Sequence, residues 1–573
     1  MLPAFEVKTL QKIQHSAVSL EMRTTSPSNV IFNPWVLLLL FCGFVGPFAL
    51  DFHLHYPDEI YYRDAAVKML QTEDYLTTYL GSGELRFKKP ILTYWAVLAG
   101  FKLFGVHAFG SRIFFLLAGA ATVGLTYLLG KTVFGDRRIA GTAALISASN
   151  PILIFAATRS IPDVLLVLTL TGSALGFVGL LRDGEQAKKM FLWLLYLGLA
   201  LAFEVKGLPA LALGGIGILY LRFNPWQRIS WKKLLYFPAL LVALGIALFW
   251  FFAMWQLHGP DFLASFLEDQ VGTRVTSRVW LVLQNGTVAS LLLLGMFLPW
   301  VALAIPKLKS ALVTAWKENP QFFVFALLWG LAIVGMGALT SKFYERYLLP
   351  VAPVLALWLA WILVRGGGID RAKGLKVAAI LLLSLVTLVF GVNAWLLGTG
   401  SGDAWSFGYL AFGVLFLGYG GRTLLRPSVL PPKLLALSVL FLFFQVTGIT
   451  RLISLPHQGS QVAKAVEDIG IDGAIGFAGN LHEGSKIRMS LGPSYNLVDL
   501  SRDGWKEEAK DYRYLIMEDR LLSEWDAVDY KVQVASIHLD SKAIPDFLRA
   551  SSVAEREKLR KAQSKIYFLL EKK

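Results

Sequence analysis

The sequence predicts an all-α polytopic membrane protein that ends in a small α/β domain. Of its 573 residues, 55% are hydrophobic and 17% are charged, whereas soluble domains carry about 25% charged residues. Charge-free runs such as residues 33–50 and 378–398 are long enough to cross about 30 Å of hydrocarbon as a helix. Beyond residue 450, short hydrophobic segments alternate with polar, helix-capable stretches, a pattern typical of a soluble α/β unit.

The hydrophobic runs predict about thirteen transmembrane helices between residues 33 and 450, after a polar N-terminal segment of residues 1–32. The predicted spans are 33–50, 111–130, 140–157, 164–181, 190–204, 207–221, 234–257, 288–305, 322–340, 347–364, 377–397, 406–420 and 434–450. Five segments of the tail, residues 451–573, are predicted strands. They are GAIGFAG, YNLVDL, YRYLIMED, YKVQVASI and KIYFLLE.

The loops between these spans indicate an orientation. Loops with three or four Lys or Arg alternate along the chain with loops that have none to two. The exception is the long loop 51–110, which has six, but the rule applies mainly to short loops. Because Lys and Arg mark the cytoplasmic side, we expect a cytoplasmic N-terminus and an external α/β domain. The long loops 51–110 and 258–287 then lie outside. The net charge of +15 follows largely from the cytoplasmic loops, so we expect no nucleic-acid partner.

Charged residues are missing from the middle of the predicted spans, where transporters usually carry them. They gather instead at the external ends and predict a polar site on the outer face. These residues are Asp58, Glu59, Arg63, Lys88, Lys89, Arg112, Arg159, Asp163, Glu204, Lys206, His258, Arg274, Arg278, Lys342, Glu345 and Arg346.

Such a site suits one type of chemistry. Lys and Arg near a membrane surface bind lipid phosphates, and a neighbouring carboxylate can deprotonate an acceptor hydroxyl or amine. Together they favour sugar transfer from a polyprenyl-phosphate donor. Because the phosphate leaves as an anion, one carboxylate is enough for an inverting reaction, whereas glycosidases typically use two.

Each candidate also has a structural explanation, since charges are common at helix ends. Asp58 after Pro57 can be a helix cap, with Glu59 in the first turn. The remaining structural explanations are a surface anchor for Lys88 and Lys89, local pairs for Arg159 with Asp163 and for Glu204 with Lys206, an interfacial position for His258, and an interfacial aromatic belt of Tyr61, Tyr62, Tyr94 and Trp95.

Six motifs follow one another in a specific order. They are YPDEIYYRDAA (56–66), FKKPILTYWAVLAGFKLFG (87–105), GSRIFFLLAGAATVGLTYLLGKTVFG (110–135), RSIPDVLLVL (159–168), FEVKGLPALAL (203–213) and SKFYERYLLPVAPVLAL (341–357). This ordered set resembles the C-type integral-membrane glycosyltransferases, within them the bacterial aminoarabinose-transferase and protein O-mannosyltransferase-like group. The resemblance covers residues from about 33 to 365.

The resemblance implies the C-type glycosyltransferase fold, a polyprenyl-phosphate-linked sugar donor, inverting transfer to a periplasmic or cell-surface acceptor, and a location in the bacterial inner membrane. It places Asp58 at the position that activates the acceptor, with Glu59 beside it. It places Lys89, Arg274 and Tyr347 at the donor phosphate. Further candidates for substrate contact are Arg63, Arg112, Arg159, Asp163, Lys206, His258, Arg278, Lys342 and Arg346.

Two positions depart from the group's pattern. Lys88 stands where many members have Glu, and Gln270 stands where several have His. Because Glu and His are the pair that can hold a divalent metal, we expect no metal and no other cofactor. Our hypothesis is that Lys88 acts as a phosphate ligand in place of a bound cation.

Two other classes of protein remain open at this point. A transporter or flippase for a lipid-linked sugar would move its substrate without forming a glycosidic bond. A non-catalytic envelope-assembly protein would tolerate changes to the loop acids and lysines.

Overall fold

The fold is given by a computed structural model that describes most of the chain. The described residues are 33–50, 57–269, 278–365, 369–398, 404–425, 432–453, 458–501, 503–525, 529–537, 544–562 and 564–572.

The first four-fifths of the described chain is helical. The helices are α1 (Pro34–Ala49), α2 (Pro57–Thr72), α3 (Leu92–Phe104), α4 (Ala108–Phe134), α5 (Arg137–Ala148), α6 (Pro151–Ala157), α7 (Pro162–Asp183), α8 (Lys189–Lys206), α9 (Leu208–Phe223), α10 (Trp231–Leu234), α11 (Phe237–His258), α12 (Pro260–Leu267), α13 (Val279–Gly295), α14 (Trp300–Ala304), α15 (Leu308–Glu318), α16 (Pro320–Ala338), α17 (Ala352–Arg365), α18 (Ile369–Gly398), α19 (Ala404–Leu425) and α20 (Pro432–Ile453). Short 3-10 segments are Gly184–Gln186, Ile305–Lys307 and Glu345–Val351.

Each predicted span overlaps at least one helix. The number of helices that qualify as membrane spans by their length and composition is lower than thirteen. Among the described residues, 6 helices are long and apolar enough to cross a membrane, or 8 if two bent pairs each count as one span. The bends are 62° between α5 and α6 and 80° between α13 and the helical stretch Trp300–Glu318. Other apolar helices have 10–17 residues. The helical, multi-pass class is thus confirmed, while the count of thirteen stays a prediction.

Helix α7 lies at the centre of the helical domain. In its most apolar stretch 78% of α7 is buried, whereas the corresponding share of α18 is 17%. Two glycines let α7 and α8 approach closely: a Cβ on Gly176 would lie 2.5 Å from the Leu195 nitrogen, and one on Gly198 would lie 2.6 Å from the Ser173 nitrogen. Such small-residue contacts are common between membrane helices. Because α7 and α8 run antiparallel, the start of α7 lies beside the end of α8.

Residues 458–572 contain a mixed sheet with order β2-β1-β3-β5-β4. Its three N-terminal strands are parallel, and β5 pairs antiparallel with both β3 and β4. Each of the five predicted strand segments overlaps one of these strands. The elements are α21 (Gln458–Ile469), β1 (Ala474–Ala478), α22 (Leu481–Leu491), β2 (Asn496–Asp499), α23 (Trp505–Glu508), β3 (Tyr514–Glu518), α24 (Asp519–Leu522), β4 (Asp529–Ile537), α25 (Ile544–Arg549), α26 (Val553–Ala562) and β5 (Ser564–Glu571), with 3-10 segments Gly492–Ser494 and Ala509–Asp511.

Candidate active site

The side chains of the adjacent acids Asp58 and Glu59 lie in different environments, one partly exposed and the other buried. Both lie in the first turn of α2, where consecutive side chains diverge by about 100° around the helix axis. The Asp58 side chain is 41% exposed and accepts a hydrogen bond of 2.5 Å from Nη2 of Arg346. Glu59 is fully buried. The two acids therefore have different roles, although they are neighbours in sequence.

Glu59 belongs to a buried ion pair. Arg112 on α4 donates from Nε and Nη2 to the two carboxylate oxygens, both at 2.8 Å, and both side chains have 0% exposure. Ser160 donates from its backbone nitrogen and its hydroxyl to Oε1 at 2.9 and 3.0 Å. Burial alone would raise the pKa of Glu59, but the charge and hydrogen bonds of Arg112 lower it to about 2. This enclosure indicates a structural role for Glu59 rather than the predicted catalytic role, and a structural role for Arg112 rather than the predicted contact with substrate.

Four charged residues from distant parts of the chain form what we call the ionic chain. Arg346 bonds Asp58 through Nη2 and approaches Asp163 with Nε at 3.2 Å, while Lys206 contacts the other oxygen of Asp163 at 2.8 Å. The Arg346, Asp163 and Lys206 side chains are 7%, 3% and 12% exposed. The ring of Tyr347 lies 4.2 Å from the Lys206 ammonium. The structure thus brings together five of the predicted site residues.

Three of the four residues of the ionic chain, Asp58, Asp163 and Lys206, lie at α-helix ends. Asp58 and Asp163 lie in the first turns of α2 and α7, each directly after a proline at the first helical position. Lys206 is the last residue of α8, and Gly207, with φ 62°, caps the helix at its C-terminus. Acids near helix N-termini and cations near C-termini are stabilised by the helix dipole. The alternative explanation by local pairs, Arg159 with Asp163 and Glu204 with Lys206, does not hold, because Asp163 and Lys206 pair with each other.

The loop between α2 and α3 forms a small hairpin beside the site. Leu80 donates to Glu84 O and Arg86 donates to Thr78 O, each at 2.8 Å. The Arg86 guanidinium lies 4.3 Å from the Tyr61 ring and donates to the Tyr94 hydroxyl. Sequence reasoning missed Arg86, although its position two residues before Lys88 was a usable signal.

The tyrosines around Arg86 do not form the predicted belt. Tyr62 and Tyr94 are 3% and 0% exposed, and their rings pack at 4.9 Å. The belt interpretation is therefore wrong for these two residues, because an interfacial belt requires side chains that reach the membrane surface.

The remaining candidates are dispersed. Lys89 is buried, and Arg63 is buried on α2. His258 contacts the Thr77 hydroxyl at 3.2 Å and packs against Phe87 with ring centroids 5.1 Å apart, which favours a structural role for this histidine. Three of these remaining candidates are exposed, namely Lys88, Arg278 and Lys342. Arg159 donates to Phe155 O and to the Thr158 hydroxyl. Arg274 and Gln270 lie outside the described residues.

No group of three or more His, Cys, Asp or Glu that could hold a metal ion occurs within the described residues. The expectation of metal-free chemistry rests on Lys88 and Gln270 in the sequence and stays a prediction.

Known proteins match this chain in sequence and in fold. Residues 41–265 match the family model described as dolichyl-phosphate-mannose-protein mannosyltransferase. The crystal structure of ArnT from Cupriavidus metallidurans bound to undecaprenyl phosphate superimposes with a TM-score of 0.69, covers 95% of this chain and 98% of that chain, and is 19% identical. The chain has the fold of the C-type membrane glycosyltransferases. The resemblance predicted from the motifs is thus confirmed.

The sequence relatives of this chain include aminoarabinose transferases. An undecaprenyl phosphate-alpha-4-amino-4-deoxy-L-arabinose arabinosyl transferase 2 of Pseudomonas fluorescens is 30% identical over 63% of this chain. A transferase of Pseudomonas aeruginosa named for the same reaction is also 30% identical over 63% of this chain. The chain spans 60% and 65% of the length of these two relatives.

Proposed function

We propose that this protein is an inverting glycosyltransferase that moves a sugar from a polyprenyl-phosphate donor to a periplasmic or cell-surface acceptor. The observation that carries the proposal is the ionic chain, because it brings a half-exposed carboxylate together with one buried cation, one largely buried cation and a tyrosine. The names of the relatives and the fold support the same reaction class.

In the proposed reaction Asp58 is the base. The acceptor oxygen or nitrogen attacks the anomeric carbon, the bond from that carbon to the phosphate oxygen breaks, and the acceptor proton passes to the Asp58 carboxylate. The lipid phosphate leaves with the bonding electron pair. One displacement inverts the anomeric centre, so a second carboxylate is not needed.

The cations of the site stabilise the charge on the leaving phosphate. Arg346 and Lys206 are held by Asp163 in nearly full burial, so little reorganisation accompanies the reaction. Removing one such fixed donor typically lowers a rate by about 10²–10³-fold. Tyr347, Lys88, Lys89 and Arg274 are proposed as further phosphate ligands.

The direct test is to incubate the purified protein with polyprenyl-phosphate sugars and candidate acceptors, and to follow the acceptor by mass spectrometry. We expect the acceptor mass to increase by one sugar residue. Movement of the lipid-linked sugar across a proteoliposome membrane without any acceptor product would instead indicate a flippase.

We also propose that the protein lies in the bacterial inner membrane with its N-terminus in the cytoplasm and its α/β domain in the periplasm. Cys42 is the single cysteine, so a Cys42→Ser background makes labelling simple. In spheroplasts, we expect an impermeant maleimide to modify a Glu84→Cys variant, in the loop before α3. A Lys188→Cys variant should react only after the membrane has been permeabilised. The reverse pattern would contradict the orientation.

A test of metal-free chemistry follows from Lys88. We expect transfer to stay within about twofold of its initial rate after exhaustive chelation, because an ammonium occupies the place of a metal-ligating carboxylate. Lys88→Glu should lower the rate on the order of 10²-fold by placing a negative charge near the phosphate. Lys188→Glu, at another exposed lysine, is the matched control and should leave the rate unchanged. Activity that returns when metal is added back would contradict the hypothesis.

A further inference from the structure

The α/β domain bonds directly to α2, the helix that begins at the proposed base. Arg488 on α22 forms two ion pairs, one between Nη1 and Asp64 at 2.9 Å and one between Nη2 and Asp499 at 2.7 Å. The three side chains are 4%, 5% and 8% exposed. Ser485 donates to the other oxygen of Asp64 at 2.7 Å. Asp64 is thereby held by two residues of the α/β domain.

These bonds continue along one face of α2. Lys68 donates to Asn496 Oδ1 at 3.3 Å, and Gln71 donates to Tyr495 O at 2.6 Å. Positions 64, 68 and 71 follow the i, i+4, i+7 spacing of a single helix face. The domain therefore fixes the rotation of α2 as well as its position.

The hairpin before Lys88 and Lys89 is fixed by the same residues. The Gly81 carbonyl accepts from the Asp499 backbone nitrogen at 3.1 Å and from Arg488 Nη2 at 3.3 Å. A Cβ on Gly81 would lie 2.1 Å from Asp499 Oδ2, so the hairpin backbone packs directly on the ion pair. One arginine thus joins the sheet, the hairpin and α2.

Arg488 is the counter-charge of two buried carboxylates, those of Asp64 and Asp499. Burial would lower the pKa of Arg488, but the charges of Asp64 and Asp499 raise it. Removing the arginine would leave two buried carboxylates without their counter-charge, which is strongly destabilising at such sites. The carboxylates would then separate, and α2 would lose its anchor.

We propose that Arg488 is a positioning residue that holds α2 and the adjoining hairpin in the geometry needed for transfer. Asp64 lies about 9 Å along the helix axis from Asp58, so a small rotation at Asp64 displaces the proposed base. Displacements near 1 Å can cost on the order of 10²-fold in rate. The effect on rate depends on the proposed function, whereas the effect on α2 does not.

The test compares Arg488→Met with Arg556→Met in the full-length protein. Arg556 is also a buried arginine of the α/β domain, and it donates to Leu396 O at the end of α18, far along the chain from α2. For Arg488→Met we expect faster amide hydrogen exchange in residues 57–72 and a kcat lowered at least about tenfold, with the donor KM within about twofold. Arg556→Met should match the wild type in both respects.

Arg488→Lys should restore part of the loss, since an ammonium can still pair with one carboxylate. If Arg488→Met does not accumulate, Asp64→Asn is measured in the same way, with the same expectation. Unchanged exchange in residues 57–72, or equal effects of the two methionine variants, would overturn the proposal. If the wild type transfers no sugar, the exchange experiment still decides the role of Arg488, and the proposed function alone fails.

Discussion

Asp58→Asn is expected to lower sugar transfer on the order of 10²–10⁴-fold, the range typical for loss of a general base. The amide has the size of the carboxylate but cannot take up the acceptor proton. Folding should persist, because Arg346 keeps its contact with Asp163. Product formation by mass spectrometry and the thermal unfolding midpoint of the purified variant check the two parts of this prediction.

Asp261→Asn is the matched control. Asp261 also follows a proline in the first turn of a helix, α12, and is exposed. If Asp58 were only a first-turn acid, both variants would lose about 0.3–1 kcal/mol of stability and keep their activity. Near-normal transfer by Asp58→Asn would reject its assignment as the base.

The second large effect concerns stability. Glu59→Gln and Arg112→Met are each expected to lower the free energy of unfolding by about 3–5 kcal/mol, because each leaves one buried charge unpaired. Arg365→Met breaks an ion pair whose side chains are 52% and 44% exposed and should cost at most about 1 kcal/mol. Chemical denaturation of the three variants in detergent measures these differences.

The same ion pair predicts a pH dependence. The pKa of Glu59 falls from its ordinary 4.5 to about 2 in the folded protein. A carboxylate with a lowered pKa contributes stability that is complete above its unfolded pKa and is lost as the pH falls through the folded value. The wild type should therefore lose this contribution between pH 4.5 and about 2. The Arg112→Met variant lacks the ion pair, so its stability should not show this loss. If the Glu59→Gln variant were as stable as the wild type but transferred no sugar, the result would instead support a catalytic role for Glu59.

The sequence predicted the helices well because charge-free runs are readable without knowledge of the fold. Each predicted span meets a helix, and each predicted strand segment meets a strand. Bends were harder to foresee: α5 ends shortly before Asn150, whose side chain caps α6 and starts a new helix direction. Helix α3, 13 residues long, was not predicted, since its apolar run is too short for a span.

Pairing was the part that could not be predicted. Arg346 lies 288 residues from Asp58, and nothing in either local pattern specifies the other. The sequence placed Glu59 beside Asp58 but did not show its buried partners, because a sequence shows adjacency and not which residues pack around a side chain. Asp64 was overlooked in the same motif, since its partner Arg488 lies more than 400 residues further along the chain.

The ionic chain also limits how this protein can be divided or recombined. The family match ends at residue 265 and contains Asp58, Asp163 and Lys206, but Arg346 lies beyond it. A fragment with those limits would keep two acids and lose the arginine that joins them. The matched region alone therefore contains only part of the ionic chain. A chimera with a relative has to exchange the segment around Arg346 together with the start of α2, so that Asp58 and Arg346 always come from the same parent.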